Sequence, residues 1–497
     1  MSTATEAAAL LVPAIRWDAA QGFDAARPMI ERALELGVGG FILFGGPAEE
    51  VRALTRELHA RSRLPLLVGA DLERGAGQQF AGMTGLPPRA ALASLEDGGE
   101  PGVLRAAARL TAVEARRLGV NWVYGPVCDL DVEPDNPIVG TRALASRPAR
   151  AAELAAEWID GCQGAGVLAC AKHFPGHGRT RGDSHMELPV VHASARTLED
   201  EDLAPFRAAI DAGVAAVMTA HVAYPALDPR GVPATLSRPI LHDLLRQRLG
   251  FDGLVVTDAL IMEGVHAAAG AALSPEVRAL AAGCDLLLYP RDVVEVARAV
   301  ERALRDGALD PELVRGSLRR RQRWAEWAAP AAADVARAEP LVPDAWGDEV
   351  AERAVHLLRG RAHAPRGEID VVIVDDDVGG PYPPPSREPL LEALAAQGAV
   401  VRDVTGAAGG TAHGPLVIAL FGDIRSWKGR PGYSAASRAA VAGALARARE
   451  MARDAVVLQF SHPRLAAELT AAPDVVCAWG GEAVMQRAAA RWLLRRR

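Results

Sequence analysis

Residues 172–185 read Lys-His-Phe-Pro-Gly-His-Gly-Arg-Thr-Arg-Gly-Asp-Ser-His, and they follow directly on an apolar run at 167–171. An apolar run that breaks into glycine, proline and charge predicts a buried strand with a functional loop at its carboxyl end. This strand and its loop are therefore the centre of the predicted fold.

Within the loop, Asp183 and His185 are separated by one residue. Side chains at i and i+2 of an extended backbone point to the same side, so this carboxylate and this imidazole can meet. A carboxylate beside an imidazole fixes its tautomer and stabilises its protonated form, which prepares a histidine for acid–base catalysis. The pair is a candidate catalytic group.

A metal site is the alternative interpretation of the histidines in this region. His173, His177, His185 and His192 lie close together in the sequence, and such a cluster can bind zinc. The glycines and prolines between them leave no helix that would hold ligands at regular spacing. We therefore predict no metal and no other cofactor, and zinc hydrolysis remains a distant alternative.

The first two thirds of the chain alternate eight short apolar runs with segments that are mostly helix-like and rich in Ala, Leu, Arg and Glu. Near-continuous apolar strands that alternate with helices indicate parallel strands covered on both faces. Eight such units fit an α/β fold of the (β/α)8 TIM-barrel type better than a doubly wound open sheet, although spacing alone leaves both open. The runs are 10–15, 40–44, 64–70, 120–124, 167–171, 215–218, 254–257 and 285–289.

A second, smaller α/β series follows the first. Around residues 326–345 the pattern dissolves into Ala, Pro and acidic residues, and four further apolar runs come after it, at 370–374, 416–420, 455–459 and 475–479. Their alternation with helical segments predicts a three-layer α/β sandwich. The predicted organisation is a catalytic TIM barrel at 1–325, a linker at 326–345 and a C-terminal sandwich domain at 346–497.

Composition narrows the function classes. A net charge of −7 and a pI near 6.0 argue against a nucleic-acid partner. The five cysteines are scattered without a CxxC pair, which is typical of reduced, buried thiols in a cytosolic protein. The N-terminus lacks the basic segment of a signal peptide, and no apolar run approaches the length of a membrane span. We expect a cytoplasmic protein without a membrane partner.

Polar side chains follow several of the predicted barrel strands. A single aspartate in such a position is often a helix cap, but the whole set converges on the carboxyl face, where parallel barrels carry their active sites. Glycosidases of the common kind need two groups that flank the scissile bond. Asp258 and the pair Asp183/His185 are the natural candidates. The strand-end polar residues are Asp71, Asp129, Lys172, His173, Thr219, His221 and Asp258.

Loop 172–185 closely resembles the signature loop of family 3 glycoside hydrolases, in the β-N-acetylglucosaminidase branch, and residues 257–260 (Thr-Asp-Ala-Leu) are similar to that branch's nucleophile segment. The resemblance implies a two-step retaining mechanism in which Asp258 is the nucleophile and His185, supported by Asp183, is the general acid/base. It also implies that five residues contact the sugar, namely Asp71, Arg142, Lys172, His173 and Met262. We add His221 as a further substrate-binding candidate.

One segment departs from the family pattern. The third strand in the family usually runs into Asp-x-Glu-Gly-Gly-Arg-Val-x-Arg, whereas residues 71–79 here read Asp-Leu-Glu-Arg-Gly-Ala-Gly-Gln-Gln. Ala76 and Gln79 replace the two arginines, and Arg74 stands earlier. Because a planar, permanently charged fork has no substitute in glutamine, we expect altered sugar contacts from this loop.

The leading hypothesis is an exo-acting β-N-acetylglucosaminidase that removes terminal β-linked N-acetylglucosamine from muropeptides, in cell-wall recycling, or from chitooligosaccharides. A rival within the family is a β-N-acetylglucosaminide phosphorylase, because a neutral imidazole repels phosphate less than a carboxylate does. A rival from another class is a catalytically inactive sugar-binding barrel. The presence of both Asp258 and the Asp183/His185 pair counts against the inactive barrel.

Overall fold

The computed structural model describes residues 3–266, 273–334, 341, 343–361, 365, 367–377, 384–405 and 414–495. The chain forms two compact units. The first comprises residues 1–84, 102–133 and 143–343, and the second comprises residues 85–101, 134–142 and 344–497. Helix Pro311–Asp334 occupies the first part of the stretch predicted as a linker, of which residues 335–340 and 342 lie outside the described residues.

The strands of the first unit are short, and almost all of their residues are buried. They are β1 (Leu11–Val12), β2 (Ala14–Arg16), β3 (Gly40–Phe44), β4 (Leu67–Ala70), β5 (Trp122–Val123), β6 (Cys170–Phe174), β7 (Ala216–Thr219), β8 (Leu254–Val256) and β9 (Leu287–Leu288).

These strands form a closed parallel barrel. Strands β2 to β5 pair in order, as do β6 to β8. Single parallel bridges join Trp122 to Leu168 and Val256 to Leu286, and β1 pairs with β9. Pro13, which has no N–H to give to a ladder, separates β1 from β2, so these two count as one barrel strand. The predicted eight-stranded barrel is confirmed.

The barrel strands are apolar on both faces. Trp122, Leu168 and Leu254 belong to one buried cluster inside it, and Ala325 and Ala328 of the helix Pro311–Asp334 pack on the same cluster. Parallel strands covered on both faces have this near-continuous apolar character. Their polar residues are therefore concentrated where the strands end.

Sixteen α-helical segments lie in the described residues, together with short 3-10 turns and two π-helical segments, Leu198–Asp202 and Pro239–Arg248. They are α1 (Thr3–Ala8), α2 (Arg27–Leu36), α3 (Ala48–Arg61), α4 (Arg89–Asp97), α5 (Val103–Arg117), α6 (Pro148–Gly164), α7 (Ala195–Thr197), α8 (Ala204–Asp211), α9 (Glu263–His266), α10 (Pro275–Ala282), α11 (Val293–Arg305), α12 (Pro311–Asp334), α13 (Trp346–Ala354), α14 (Glu388–Ala396), α15 (Ala435–Glu450) and α16 (Ala483–Arg495). None of the helices that the structure describes is both long enough and apolar enough to cross a bilayer.

The second unit is a six-stranded sheet with helices packed on it, which confirms the predicted α/β sandwich. Its strand order is β10-β15-β14-β13-β11-β12, and only β10 runs antiparallel to its neighbour. Val441 and Leu445 of α15 pack on Ile418 and Val457 in the sheet. The strands are β10 (His356–Arg359), β11 (Glu368–Asp375), β12 (Val400–Asp403), β13 (Leu416–Phe421), β14 (Ala455–Phe460) and β15 (Val475–Cys477).

Candidate active site

The carboxyl ends of the parallel barrel strands carry most of the predicted site residues. Asp71 follows β4 directly, Lys172 and His173 lie within the last three residues of β6, and Asp258 stands two residues after β8. Because parallel strands end at the same face of a barrel, these side chains share one face.

Lys172 is buried between two carboxylates. Its Nζ lies 2.7 Å from Asp71 Oδ1 and 2.7 Å from Glu73 Oε1. The side chain of Lys172 is 2% exposed, whereas that of Asp71 is 30% exposed. The ammonium group therefore holds Asp71 in place, and the Asp71 carboxylate remains partly exposed. Glu73 completes this arrangement, and its role was not predicted.

A buried carboxylate, that of Asp129, organises the start of the loop. Asp129 Oδ2 accepts the ring Nδ1–H of His173 at 2.6 Å. Its Oδ1 accepts the backbone N–H of His173 at 3.1 Å and that of His177 at 2.6 Å. Burial works to raise the pKa of Asp129, but His173 and His177 outweigh that effect, so the pKa is lowered and the carboxyl is ionised.

His177 crosslinks the loop from inside. Its Nδ1 is hydrogen-bonded to the Thr180 hydroxyl at 2.8 Å, and its Nε2 to the Ser184 hydroxyl at 3.0 Å. Burial lowers the pKa of His177 to about 4, against the opposing charge of Asp129, so the ring is neutral at pH 7. A neutral imidazole offers one donor and one acceptor, and the two hydroxyls satisfy both.

Gly178 explains why the loop needs glycine after His177. A Cβ at Gly178 would lie 2.0 Å from the backbone oxygen of Leu130. No side chain fits at that distance, so the loop can approach the 129–130 segment only with glycine at this position. The close approach brings the His177 N–H to Asp129.

The structure brings Asp183 and His185 together. Asp183 Oδ1 lies 2.7 Å from His185 Nδ1 and accepts the His185 backbone N–H at 2.9 Å. Asp183 is 4% exposed, whereas the His185 side chain is 19% exposed. The carboxylate thereby fixes the orientation of the ring, with Nδ1 toward Asp183 and Nε2 on the opposite side.

Asp258 is the carboxylate at the end of β8. Its Oδ1 accepts the Ala259 N–H at 2.7 Å, and its Oδ2 lies 4.0 Å from His173 Nε2. Burial works to raise the pKa of Asp258, but His173, His221, His185 and the Ala259 N–H together lower it to about 2. The side chain is 18% exposed and is ionised at neutral pH.

His221 is buried beside this carboxylate. Its Nδ1 is hydrogen-bonded to the Thr235 hydroxyl at 2.7 Å, and its Nε2 to the Ala259 carbonyl at 3.2 Å. The residue has no exposed surface, and burial lowers its pKa to about 4. Since the Ala259 carbonyl can only accept, Nε2 carries the proton of the neutral ring. The ring thus supports the peptide that follows Asp258.

The remaining predicted residues differ in their placement. Met262 is 4% exposed, and its N–H donates to Ala259 O at 3.1 Å. Arg142 belongs to the second compact unit, where it ends the 3-10 turn Gly140–Arg142. Of the two residues that replace the family's arginines, Ala76 is fully buried and Gln79 Oε1 accepts the Gly45 N–H at 3.2 Å.

The site combines an ionised carboxylate with a carboxylate-held imidazole at the carboxyl face of a (β/α)8 barrel. Such a pair of groups is what a glycosidase needs. Residues 20–323 match the model of the glycosyl hydrolase family 3 N terminal domain. The chain therefore belongs to glycosyl hydrolase family 3, and the prediction that it is a glycoside hydrolase of this family is confirmed.

Three similar proteins illustrate the relationship. A beta-hexosaminidase of Thiobacillus denitrificans is 42% identical over 261 residues, which are 50% of this chain and 71% of that protein. A beta-N-acetylglucosaminidase/beta-glucosidase of Cellulomonas fimi is 36% identical over 290 residues, 56% of this chain but only 50% of that protein. The structure of a family 3 beta-N-acetylglucosaminidase from Paenibacillus sp. aligns with a TM-score of 0.84 and 28% identity, covering 99% of this chain and 97% of that one.

The two neutral, buried histidines should make the protein less stable in acid. His177 and His221 have pKa values of about 4, so between about pH 6.5 and 4 the unfolded chain binds more protons than the native one. As the pH is lowered from about 6.5 to 4, we expect the free energy of unfolding to fall by on the order of 3 kcal/mol for each ring. Urea unfolding at several pH values measures the slope.

The variant His221→Asn should take up about one proton fewer on unfolding in this range. The exposed His192 provides the control for loss of a histidine as such, through His192→Asn. An unchanged pH slope in His221→Asn would contradict the assignment of a neutral buried ring.

Proposed function

We propose that the chain is a retaining exo-β-N-acetylglucosaminidase that releases terminal β-linked N-acetylglucosamine through a covalent glycosyl ester on Asp258. The observation that carries this proposal is the pairing of an ionised Asp258 with a His185 imidazole held by Asp183 at 2.7 Å. The names of the similar proteins, among them beta-hexosaminidase and beta-N-acetylglucosaminidase, support the choice of sugar.

In the first step, an Asp258 carboxylate oxygen forms a bond to the anomeric carbon while the bond to the leaving oxygen breaks. Protonated His185 donates its Nε2 proton to that oxygen. In the second step, neutral His185 takes a proton from water, the water oxygen bonds to the anomeric carbon and the ester to Asp258 breaks. Asp183 keeps Nδ1 engaged through both steps, so the same nitrogen donates and later accepts.

The surrounding residues bind and orient the sugar in this proposal. Asp71, held by Lys172, accepts a hydroxyl, and His173, held by Asp129, contacts the sugar beside Asp258, with its Nε2 4.0 Å from Asp258 Oδ2. We assign Met262 to a contact with the same sugar, as the family resemblance implies. Both ring nitrogens of His221 are bonded to protein groups, so we do not keep it among the substrate-binding residues and assign it instead to holding the Ala259 carbonyl beside Asp258.

We also propose the substrates of the reaction and its location in the cell. Muropeptides or chitooligosaccharides are the proposed substrates, the cytoplasm is the proposed location, and no nucleic acid, membrane or cofactor takes part. The two-step scheme uses only the carboxylates and imidazoles of the chain.

A panel of nitrophenyl β-glycosides tests the function. We expect turnover of the N-acetylglucosaminide well above that of the glucoside, N-acetylgalactosaminide and xyloside, with free sugar as the product. Asp258→Ala should lose essentially all activity, whereas Asp211→Ala, which changes an exposed carboxylate on α8, should keep it. Sugar 1-phosphate formed on adding phosphate would identify a phosphorylase instead, and no turnover of any glycoside would identify an inactive barrel.

The acid role of His185 predicts a dependence on the leaving group. His185→Ala should slow poor leaving groups by about 100-fold or more, because general acid catalysis contributes that much when the leaving oxygen needs a proton. A dinitrophenolate leaving group needs little protonation, so formation of the ester should be slowed far less. The ratio of kcat/KM for the two substrates measures the effect, and equal slowing of both would contradict the role.

A further inference from the structure

Gly264, in the first turn of α9, touches the backbone of two other strand-end loops. Its N–H donates to Ser184 O at 3.2 Å. A Cβ at Gly264 would lie 2.7 Å from Glu187 O, 2.8 Å from Ser184 O and 3.3 Å from His221 O. Real Cβ atoms essentially never approach backbone oxygens closer than 3.0 Å. Hydrogen at this position is therefore what permits the contact.

The backbone conformation of Gly264 does not itself require glycine, because its φ lies outside the left-handed region. The absence of a side chain is thus a matter of close packing between chain segments. The segments in question are the loop after β6, which carries His185, and the loop after β7, which carries His221.

The turn that carries Gly264 is fixed to the barrel. His266 Nε2 is hydrogen-bonded to Leu260 O at 2.7 Å, and the Leu260 N–H donates to Leu288 O of β9 at 2.9 Å. Leu260 stands two residues after Asp258. Gly264 is therefore part of a rigid support that continues from the carboxylate at the end of β8.

The segment that rests on Gly264 is itself a closed turn. The N–H groups of Met186 and Glu187 donate to Asp183 O at 2.9 and 3.1 Å, and Asp183 Oδ1 holds the His185 ring at 2.7 Å. From the other side, His177 holds the Ser184 hydroxyl at 3.0 Å. A displacement of this turn would carry the His185 imidazole with it.

We propose that Gly264 is a positioning residue for catalysis: by lacking a side chain, it lets the turn 183–187 rest against the nucleophile loop and so sets the position of the His185 imidazole over the bond that is cleaved. This inference rests on the proposed function, since it assumes that His185 is the acid/base and Asp258 the nucleophile.

The variant Gly264→Ala tests the proposal. The added methyl must push the turn 183–187 outward by several tenths of an ångström. We expect kcat/KM for a β-N-acetylglucosaminide with a poor, alkyl leaving group to fall by about tenfold or more, because small misplacements of a catalytic group are costly. For the dinitrophenyl substrate, the rate of ester formation should fall less than about threefold, since little proton donation is needed there.

Gly164→Ala is the matched control. Gly164 is exposed at the end of α6, its φ is not left-handed, and a Cβ there would meet nothing within 4 Å. This variant should keep wild-type rates on both substrates. The thermal unfolding midpoint of Gly264→Ala, together with its rate on the dinitrophenyl substrate, reports whether the site is still folded.

The outcomes separate the two proposals. A selective loss on the alkyl glycoside supports the role of Gly264. The proposed role of Gly264 is overturned by an equal loss on both substrates, including loss through misfolding, and also by no loss on either. The proposed function stays intact in these cases as long as the wild type hydrolyses both substrates. Failure of the wild type on both substrates overturns the proposed function itself.

Discussion

The site depends on the buried carboxylate of Asp129. An ionised group with almost no exposed surface is unfavourable unless hydrogen bonds compensate for the lost water. Here the N–H groups of His173 and His177 and the ring of His173 supply that compensation. These hydrogen bonds hold the loop after β6 against the segment that follows β5, where Asp129 lies, and Gly178 allows the close approach. The His173 ring is thereby aimed at Asp258, 4.0 Å from its Oδ2.

A series of hydrogen bonds through neutral groups connects Asp129 to His185, the proposed acid/base. His177 holds Ser184, Ser184 stands between Asp183 and His185, and the same turn rests on Gly264. Burial keeps the His177 and His221 rings neutral, and the His185 ring is more exposed than either of them. The proposed reaction needs a single nitrogen that first donates a proton and then accepts one, and the partly exposed His185 ring, held by Asp183 at 2.7 Å, is suited to that role.

Much of this arrangement could be predicted from local sequence. Eight apolar runs defined the barrel because parallel strands buried on both faces have no polar alternation. The contact of Asp183 with His185 followed from their spacing of two residues. The partners of His173 and Lys172 could not be found in that way, since Asp129 and Asp71 lie 44 and 101 residues away. Nor could sequence distinguish the buried His221 from the half-buried His185, because both follow a strand end.

The proposed reaction requires an ester between Asp258 and the sugar. A fluorinated N-acetylglucosaminide with a good leaving group should form this ester quickly and hydrolyse it slowly, so that the labelled protein accumulates. Proteolysis and mass spectrometry should then place one sugar on the peptide that contains residues 254–260, at Asp258. A sugar attached to any other side chain, or catalytic turnover with no covalent adduct from a reagent that is consumed, would contradict the account.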